Sequence, residues 1–373
     1  PLGKSGARFA KAMNQLGWHW WPSDSTIATT DYEGRARCIN LGHCTPGCAQ
    51  GAKASTDITY WPHALRAGVE LRTFCRVREI TLDENGMASG AIYYDRDGKE
   101  HFQPAEMVIL ACNGVGTPRL MLNSVSGRFP NGIANSSGLV GKNLMFHPYA
   151  QTYGYVDEPL DGNHGPPLCL WSQEFYETDP SRDFVRGYTF QFGRGVGSIM
   201  EAIVSSSAGR LPWGEDHHRV YRQLMNHRIG LSAICEDLPE EHTCVTLDPA
   251  LKDSNGIPAP RINYTISENS QRMMSHGIAR AKEILAAAGA TNIGIESPIL
   301  NGGWHLLGTA RMGVDPERSV VNEWGRCHDV KNLFIIDGSI WVTSGGVNPT
   351  STIQALALYI ADSIKQRLAN LFD

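Results

Sequence analysis

The sequence predicts an α/β protein interrupted by a β-rich lobe, and three observations carry that expectation. In the first third of the chain the apolar run Met107–Ala111 flows into Asn113-Gly114-Val115-Gly116-Thr117-Pro118 and the start of a helix. Near the C-terminal end Asn332–Ile336 flows into Asp337-Gly338-Ser339, then into a glycine-rich turn and a terminal helix. Apolar strand, glycine turn and helix in that order are the signature of α/β units. Between about 145 and 265 the pattern changes to short β-like stretches separated by polar loops.

The elements follow in chain order. Residues 4–16 read as a helix, with Phe9, Met13 and Leu16 on one face and Gly17 as its stop. Residues 31–56, rich in Gly, Cys and small polar residues, read as an irregular loop, and Tyr60–Ala67 as a short helix. Strands are expected at Glu70–Val77, Glu79–Leu82, Ala88–Tyr94 and Met107–Ala111. The turns Asp83-Glu84-Asn85-Gly86 and Asp95-Arg96-Asp97-Gly98 carry hairpin chemistry. A helix begins at Thr117–Leu122. Gly187–Phe192 and Ile229–Ile234 read as strands, and Ser270–Ala288 as a long helix ended by Gly289. Gly193–Ser198 has the wrong glycine spacing for a phosphate loop and reads as a turn. A strand at Asn332–Ile336 and a helix from Ser351 to Leu368 close the chain. The expected organisation is residues 1–145 and 301–373 as two parts of one domain, 146–265 as the inserted β-rich lobe and 266–300 as its helical part.

Composition sets limits. With 42% hydrophobic and 19% charged residues the chain is globular in character. A formal net charge of −5 leaves no basic surplus to neutralise phosphates, so no nucleic-acid partner is expected. No apolar stretch is long enough to span a membrane, and no signal peptide is visible. The expected location is therefore cytoplasmic, with the periplasm as the alternative; oligomerisation stays open. The nine cysteines are odd in number and mostly scattered, unlike a disulfide framework.

Two stretches carry candidate chemistry. His305 lies in Gly303-Trp304-His305-Leu306-Leu307-Gly308-Thr309-Ala310-Arg311-Met312-Gly313, where it could be a buried base or a structural histidine. Asn348-Pro349-Thr350 opens the terminal helix, where unpaired N–H groups suit an anionic ligand. Together the stretches read His-x-x-Gly-Thr-x-x-Met-Gly, Asn-Leu-x-x-x-Asp-Gly-Ser and Gly-x-Asn-Pro-Thr. That series resembles the C-terminal signature of the glucose-methanol-choline (GMC) oxidoreductases. Val108–Pro118, Arg76-Val77 and Gly141-Lys142-Asn143-Leu144 with His147-Pro148 resemble further segments of the same family in the same order.

The resemblance implies a Rossmann-like FAD-binding domain, incomplete at its N-terminus, with an antiparallel-sheet α+β substrate domain. It implies FAD as cofactor and a sugar, glycoside or other alcohol as substrate, oxidised to the carbonyl with hydride passing to the flavin. His305 takes the place of the general base and Asn348 that of the second active-site residue. Val77, Ala111, Asn113, Gly114, Asp337, Gly338, Asn348, Pro349 and Thr350 take cofactor-binding places. Asp337 and Gly338 would lie near the ribityl-pyrophosphate, and the N–H groups of 348–350 at the pyrimidine edge of the ring. Oxidase and dehydrogenase remain equal alternatives. Trp171, Phe175, Tyr176, Tyr188, Phe190, Gln191 and Phe192 in the β-rich lobe suit a sugar, as stacking and amide groups do.

Family members open on a strand, a Gly-x-Gly-x-x-Gly turn and a helix, and the sequence holds no such segment. The chain is therefore expected to start inside a longer enzyme, with a missing N-terminal segment or companion chain as partner, and residues 1–373 alone are expected to hold FAD poorly. The alternative reading is a structural or electron-transfer subunit with an incomplete flavin site. Cys38, Cys44 and Cys48 lie close together in a glycine-rich loop with His43. They could ligate an iron–sulfur cluster, as in the similar flavoprotein subunits of bacterial sugar dehydrogenases, or zinc with His43, or simply shape the loop.

Overall fold

A computed structural model describes residues 2–42, 44, 47–300 and 302–367. The chain divides into two compact units. Unit 1 comprises residues 1–71, 148–235 and 271–300; unit 2 comprises 72–147, 236–270 and 301–373. These boundaries differ from the expected ones. Residues 1–71 belong with the antiparallel sheet, because the apolar face of the Gly3–Leu16 helix packs there: Phe9 meets Phe192 edge-on at 4.9 Å. Residues 236–270 leave the β-rich lobe for unit 2.

Unit 1 is built on a six-stranded antiparallel sheet. Its strand order is Trp21–Pro22, Leu168–Ser172, Tyr188–Gly193, Arg228–Cys235, Tyr149–Tyr155 and Thr291–Glu296. Residues 271–287 of the Glu268–Ala287 helix bury Met273, Met274, Ala281, Ile284 and Leu285. His276 of that helix meets the Tyr188 hydroxyl at 2.8 Å through Nδ1. The described residues between 31 and 54 form no regular element beyond isolated bridges, as the composition predicts.

Unit 2 joins the parallel pair Val108–Leu110 and Leu333–Ile335 to the antiparallel strands Arg76–Leu82, Ala88–Tyr94 and Glu100–Pro104, and to the hairpin Cys244–Lys252/Pro258–Asn263. The expected separate strands at 70–77 and 79–82 are one strand. It starts at Arg76 and shifts register between Val77 and Glu79. The Glu100–Pro104 strand was hidden because it carries no apolar alternation and lies largely exposed. The helix read from Thr117 begins earlier, at Asn113, and runs to Asn123. The terminal helix is Thr350–Gln366; the expected end at Leu368 lies outside the described residues. Among the described residues no helix is long and apolar enough to cross a membrane.

One core fills unit 2, from Ile80 and Leu110 through Met121, Phe129 and Val321 to Phe334, Ile335 and Ile360. A polar side chain stitches its edge. Asn332 is 3% exposed. Its Oδ1 accepts the Ala88 N–H at 2.8 Å, and its Nδ2 donates to the carbonyls of Ala88 at 2.8 Å and Glu106 at 2.7 Å. Asn332→Ala leaves three main-chain groups unpaired in a dry place, and we expect a loss of about 3 kcal/mol. A urea melt should show a lower midpoint with unchanged slope; an unchanged midpoint would contradict this account of the stitch.

Candidate active site

The sequence motifs meet at one main-chain crossing in unit 2. Leu306 and Leu307 run between two glycines. A Cβ on Gly114 would stand 2.5 Å from the carbonyl carbon and oxygen of Leu306, and a Cβ on Gly338 would stand 2.7 Å from Leu307 Cδ2 and 2.9 Å from the Leu306 oxygen. Any larger residue at either place would push the Leu306-Leu307 segment out. The crossing is sewn on all sides. Gly114 N–H donates to the Leu306 carbonyl at 3.2 Å, Gly308 N–H to the Gly338 carbonyl at 3.1 Å, and Met145 and Leu307 exchange both main-chain bonds at 3.0 and 3.2 Å. Gly308 turns the chain with φ near +90°, tight against the Asn143 carbonyl.

Thr309 completes the crossing for a reason visible in the sequence. Pro118 lies inside the Asn113–Asn123 helix and has no N–H, so the Gly114 carbonyl four residues earlier lacks its helical donor. The buried Thr309 hydroxyl supplies one, at 2.8 Å.

Asp337 and Asn113 organise the helix start. Asp337 Oδ2 accepts the Asn113 N–H at 2.8 Å and the Thr117 hydroxyl at 2.5 Å; Oδ1 accepts the Ser339 N–H at 2.8 Å and its hydroxyl at 2.5 Å. Asn113, at φ +68°, accepts the N–H groups of Val115 at 3.0 Å and Gly116 at 3.2 Å through its own Oδ1. The carboxylate and the first-turn donors thus hold one another. At the terminal helix, Pro349 is the cap residue and carries no N–H, so the expected donors at 348–350 reduce to Asn348 and Thr350, both exposed.

His305 stands just before the crossing. The imidazole of His147 packs against it edge-on, with centroids 4.9 Å apart, and His147 N–H donates to the Trp304 carbonyl at 3.1 Å. Burial pushes the His305 imidazole down to about 4, and its buried Nδ1 has no hydrogen-bond partner among the described residues. The sequence quoted His147 only as part of a motif and missed its ring contact.

It also missed Glu236 and Asp237, both buried. Asp237 accepts from the Tyr264 hydroxyl at 2.7 Å, the Phe146 N–H at 3.2 Å and the Ser270 hydroxyl at 3.3 Å. Burial pushes its carboxyl up to about 6, against the pull of those three donors. Two adjacent acids directly after an apolar strand were the available signal.

Val77, 40% exposed, borders a hollow of about 770 Å³ within unit 2 that Arg76, Arg78, Cys112, Gly116 and Arg119 also line. Ala111 and Asn113 are exposed at the strand-to-helix turn beside it, whereas Gly114, Asp337 and Gly338 are buried.

Family models described as GMC oxidoreductase match residues 4–149 with the family's N-terminal part and residues 239–357 with its C-terminal part. The chain belongs to the GMC oxidoreductases. It is 43% identical, over its whole length and 68% of the relative, to 2-methyl-1,2-propanediol dehydrogenase of Mycolicibacterium austroafricanum. It is 30% identical to the fructose dehydrogenase large subunit of Gluconobacter japonicus, over 98% of this chain and 66% of that one. It is also 30% identical to paromamine 6'-oxidase of Streptomyces fradiae, over 95% and 63%. The chain thus spans about two thirds of the length of these GMC relatives. Formate oxidase of Aspergillus oryzae shares the fold with a TM-score of 0.59 at 18% identity, over 80% of this chain and 61% of that one. The GMC fold, mixed α/β with antiparallel sheets, is therefore the fold of this chain.

GMC proteins are flavoproteins that bind FAD, and unit 2 has a hollow and open polar groups. Besides the Val77 hollow, Asn143 Nδ2, His305 Nδ1 and Trp341 Nε1 are buried polar atoms with no partner among the described residues. Buried polar atoms normally have partners, so each of these three has hydrogen-bonding capacity left for a polar ligand. The cysteines give no such support. Cys38, Cys44 and Cys48 do border one small hollow of about 110 Å³ in unit 1. Among the described residues, however, no group of three His, Cys, Asp or Glu is arranged to hold a metal, and His43 lies outside them.

Thr309→Val is nearly isosteric but leaves the Gly114 carbonyl unpaired, and should cost about 1–3 kcal/mol; calorimetry showing wild-type stability would refute the role given to Pro118. Asp237→Asn should change stability in a pH-dependent way. The folded carboxyl titrates near 6 and the unfolded one near 3.8. Between those values the unfolded chain gives up its proton first, so wild-type stability falls as pH rises through the window. The asparagine variant escapes that loss. Its melting temperature should match wild type below pH 4 and exceed it above pH 6, and a pH-independent difference would count against the buried acid.

Proposed function

We propose that this protein is an FAD-dependent alcohol oxidoreductase in which His305 removes the hydroxyl proton of a diol or sugar. The observation that carries the reading is the half-buried imidazole at the glycine-bounded crossing, with its Nδ1 buried and open. With a titration point near 4 it stays neutral across the physiological range, and a neutral imidazole can accept a proton. FAD, when bound, supplies the hydride acceptor. His305 holds the proton at the imidazole, and the His147 ring packed against it limits its rotation. Asn348, on the turn before the terminal helix, is assigned to orient the same oxygen by hydrogen bonding. The main-chain bonds around Leu306 and Leu307 fix where the imidazole can stand.

A hydroxyl-rich substrate is supported by unit 1. Trp171, Gln191, Ser232, Gln151 and Glu296 stand opposite one another on adjacent strands, forming one transverse row on a single sheet face. Gln151 and Ser232 are only half-buried and make no side-chain hydrogen bond among the described residues. Amide and hydroxyl groups with unfilled capacity beside a tryptophan suit several hydroxyls better than a bare alkyl chain. The GMC relatives named for a diol, a hexose and an aminoglycoside point the same way.

The test is His305→Ala in the full-length, flavin-loaded enzyme, with 2-methyl-1,2-propanediol and fructose as hydride donors. Anaerobic flavin reduction should slow by at least about 10²-fold, the usual scale for a lost general base. Flavin content should hold. Undiminished reduction would remove His305 from the mechanism.

A further inference from the structure

Glu236 and Asp237 sit where three segments of the candidate site converge in unit 2. The Asp237 side chain, only 3% exposed, takes the Tyr264 hydroxyl and the Phe146 N–H on Oδ2 and the Ser270 hydroxyl on Oδ1. Phe146 also packs edge-on against the Tyr264 ring at 4.7 Å. The next residue is His147, whose ring faces His305. The main chain of Asp237 reaches in another direction. Its N–H donates to Ser344 Oγ at 2.8 Å, and the Ser344 hydroxyl donates back to the Asp237 carbonyl at 3.1 Å. Glu236 accepts the Thr343 hydroxyl at 2.7 Å. Thr343 and Ser344 begin the turn that ends at Asn348.

We infer that Asp237 is a positioning residue: it holds the segment facing His305 and the turn leading to Asn348 in one geometry, through hydrogen bonds rather than through charge. The inference rests on the assignment of His305 as the base. The donors around Asp237 explain why charge is dispensable. An asparagine placed with its oxygen toward Tyr264 and Phe146 keeps both bonds, and its amide then faces Ser270, whose hydroxyl oxygen can accept as well as donate. An alanine keeps none of the three. The main-chain exchange with Ser344 survives either change only if the segment stays where the side chain anchors it. Small displacements matter in such a place, since a shift near 1 Å in a reacting group can cost about 10²-fold in rate.

The experiment compares Asp237→Ala and Asp237→Asn in the full-length, flavin-loaded enzyme by hydrogen–deuterium exchange and by stopped-flow flavin reduction with 2-methyl-1,2-propanediol or fructose. Asp237→Ala should speed exchange in peptides covering 141–147 and 343–350 while leaving 88–104 unchanged. It should lower the limiting rate by about 10²-fold with little change in KM. Asp237→Asn should restore both the protection and the rate. Wild-type exchange in the two segments of Asp237→Ala overturns the inference. So does an asparagine variant as impaired as the alanine one, because charge would then be the active element. If Asp237→Ala does not fold, Tyr264→Phe removes one bond of the same network and Ser344→Ala removes two, and both must loosen the same two segments; silence in either overturns it equally. The exchange readout needs no turnover, so it stands apart from the His305→Ala rate that tests the base assignment.

Discussion

The crossing of Leu306 and Leu307 between Gly114 and Gly338 is the constraint on which the rest of unit 2 depends. It brings a strand-to-helix turn, a strand-to-3-10 turn and the segment behind His305 to within main-chain contact. Main chains can approach that closely only where side chains are missing, and each approach removes polar groups from water. The bonds at the crossing answer that second demand. A proline that silences one helical donor is matched by a threonine that replaces it. Motifs nearly 200 residues apart are thus parts of one hydrogen-bond account.

The buried polar groups of unit 2 fall into two kinds. Asp337, Asn332 and Asp237 are closed: their acceptors and donors are met inside the unit, and they hold turns and segments in place. Asn143 Nδ2, His305 Nδ1 and Trp341 Nε1 are open. Closed groups rigidify, while open groups carry the desolvation cost of a missing partner. A binding site needs both kinds, because a polar ligand gains most when the groups that meet it are already desolvated and cannot relax toward each other. His305 belongs to the open kind, and desolvation also lowers its titration point to about 4, which suits the role proposed for it.

Unit 1 shows a different logic. Its antiparallel sheet puts one side chain from each strand at the same level, so a row of polar groups can arise from residues spread over 171, 191, 232, 151 and 296. Register alone decides this, and a slip of one residue would turn each of them to the other face. The same row is invisible in the linear sequence, where each residue stands among ordinary strand neighbours.

Much of the chemistry was nevertheless determined by the sequence itself. Glycine and proline have local meanings that do not wait for the fold, so the Gly114 turn, the Gly338 turn, Pro118 and the Gly308-Thr309 pair could be read as special places, and their order gave the family. The Ala88–Tyr94 strand and the Gly3–Leu16 helix followed from periodicity and stop signals. The Glu100–Pro104 strand did not, because its pairing with Ala88–Tyr94 rather than its own pattern makes it a strand. Only the tertiary structure decided that residues 1–71 pack with the antiparallel sheet, that Asp337 is satisfied from within, that His147 faces His305, and that Asp237 joins three distant segments. The reason is physical. A residue's conformational permission is written in its own covalent structure, whereas the burial of an acid, the partner of a hydroxyl and the titration of an imidazole depend on what long-range folding places around them.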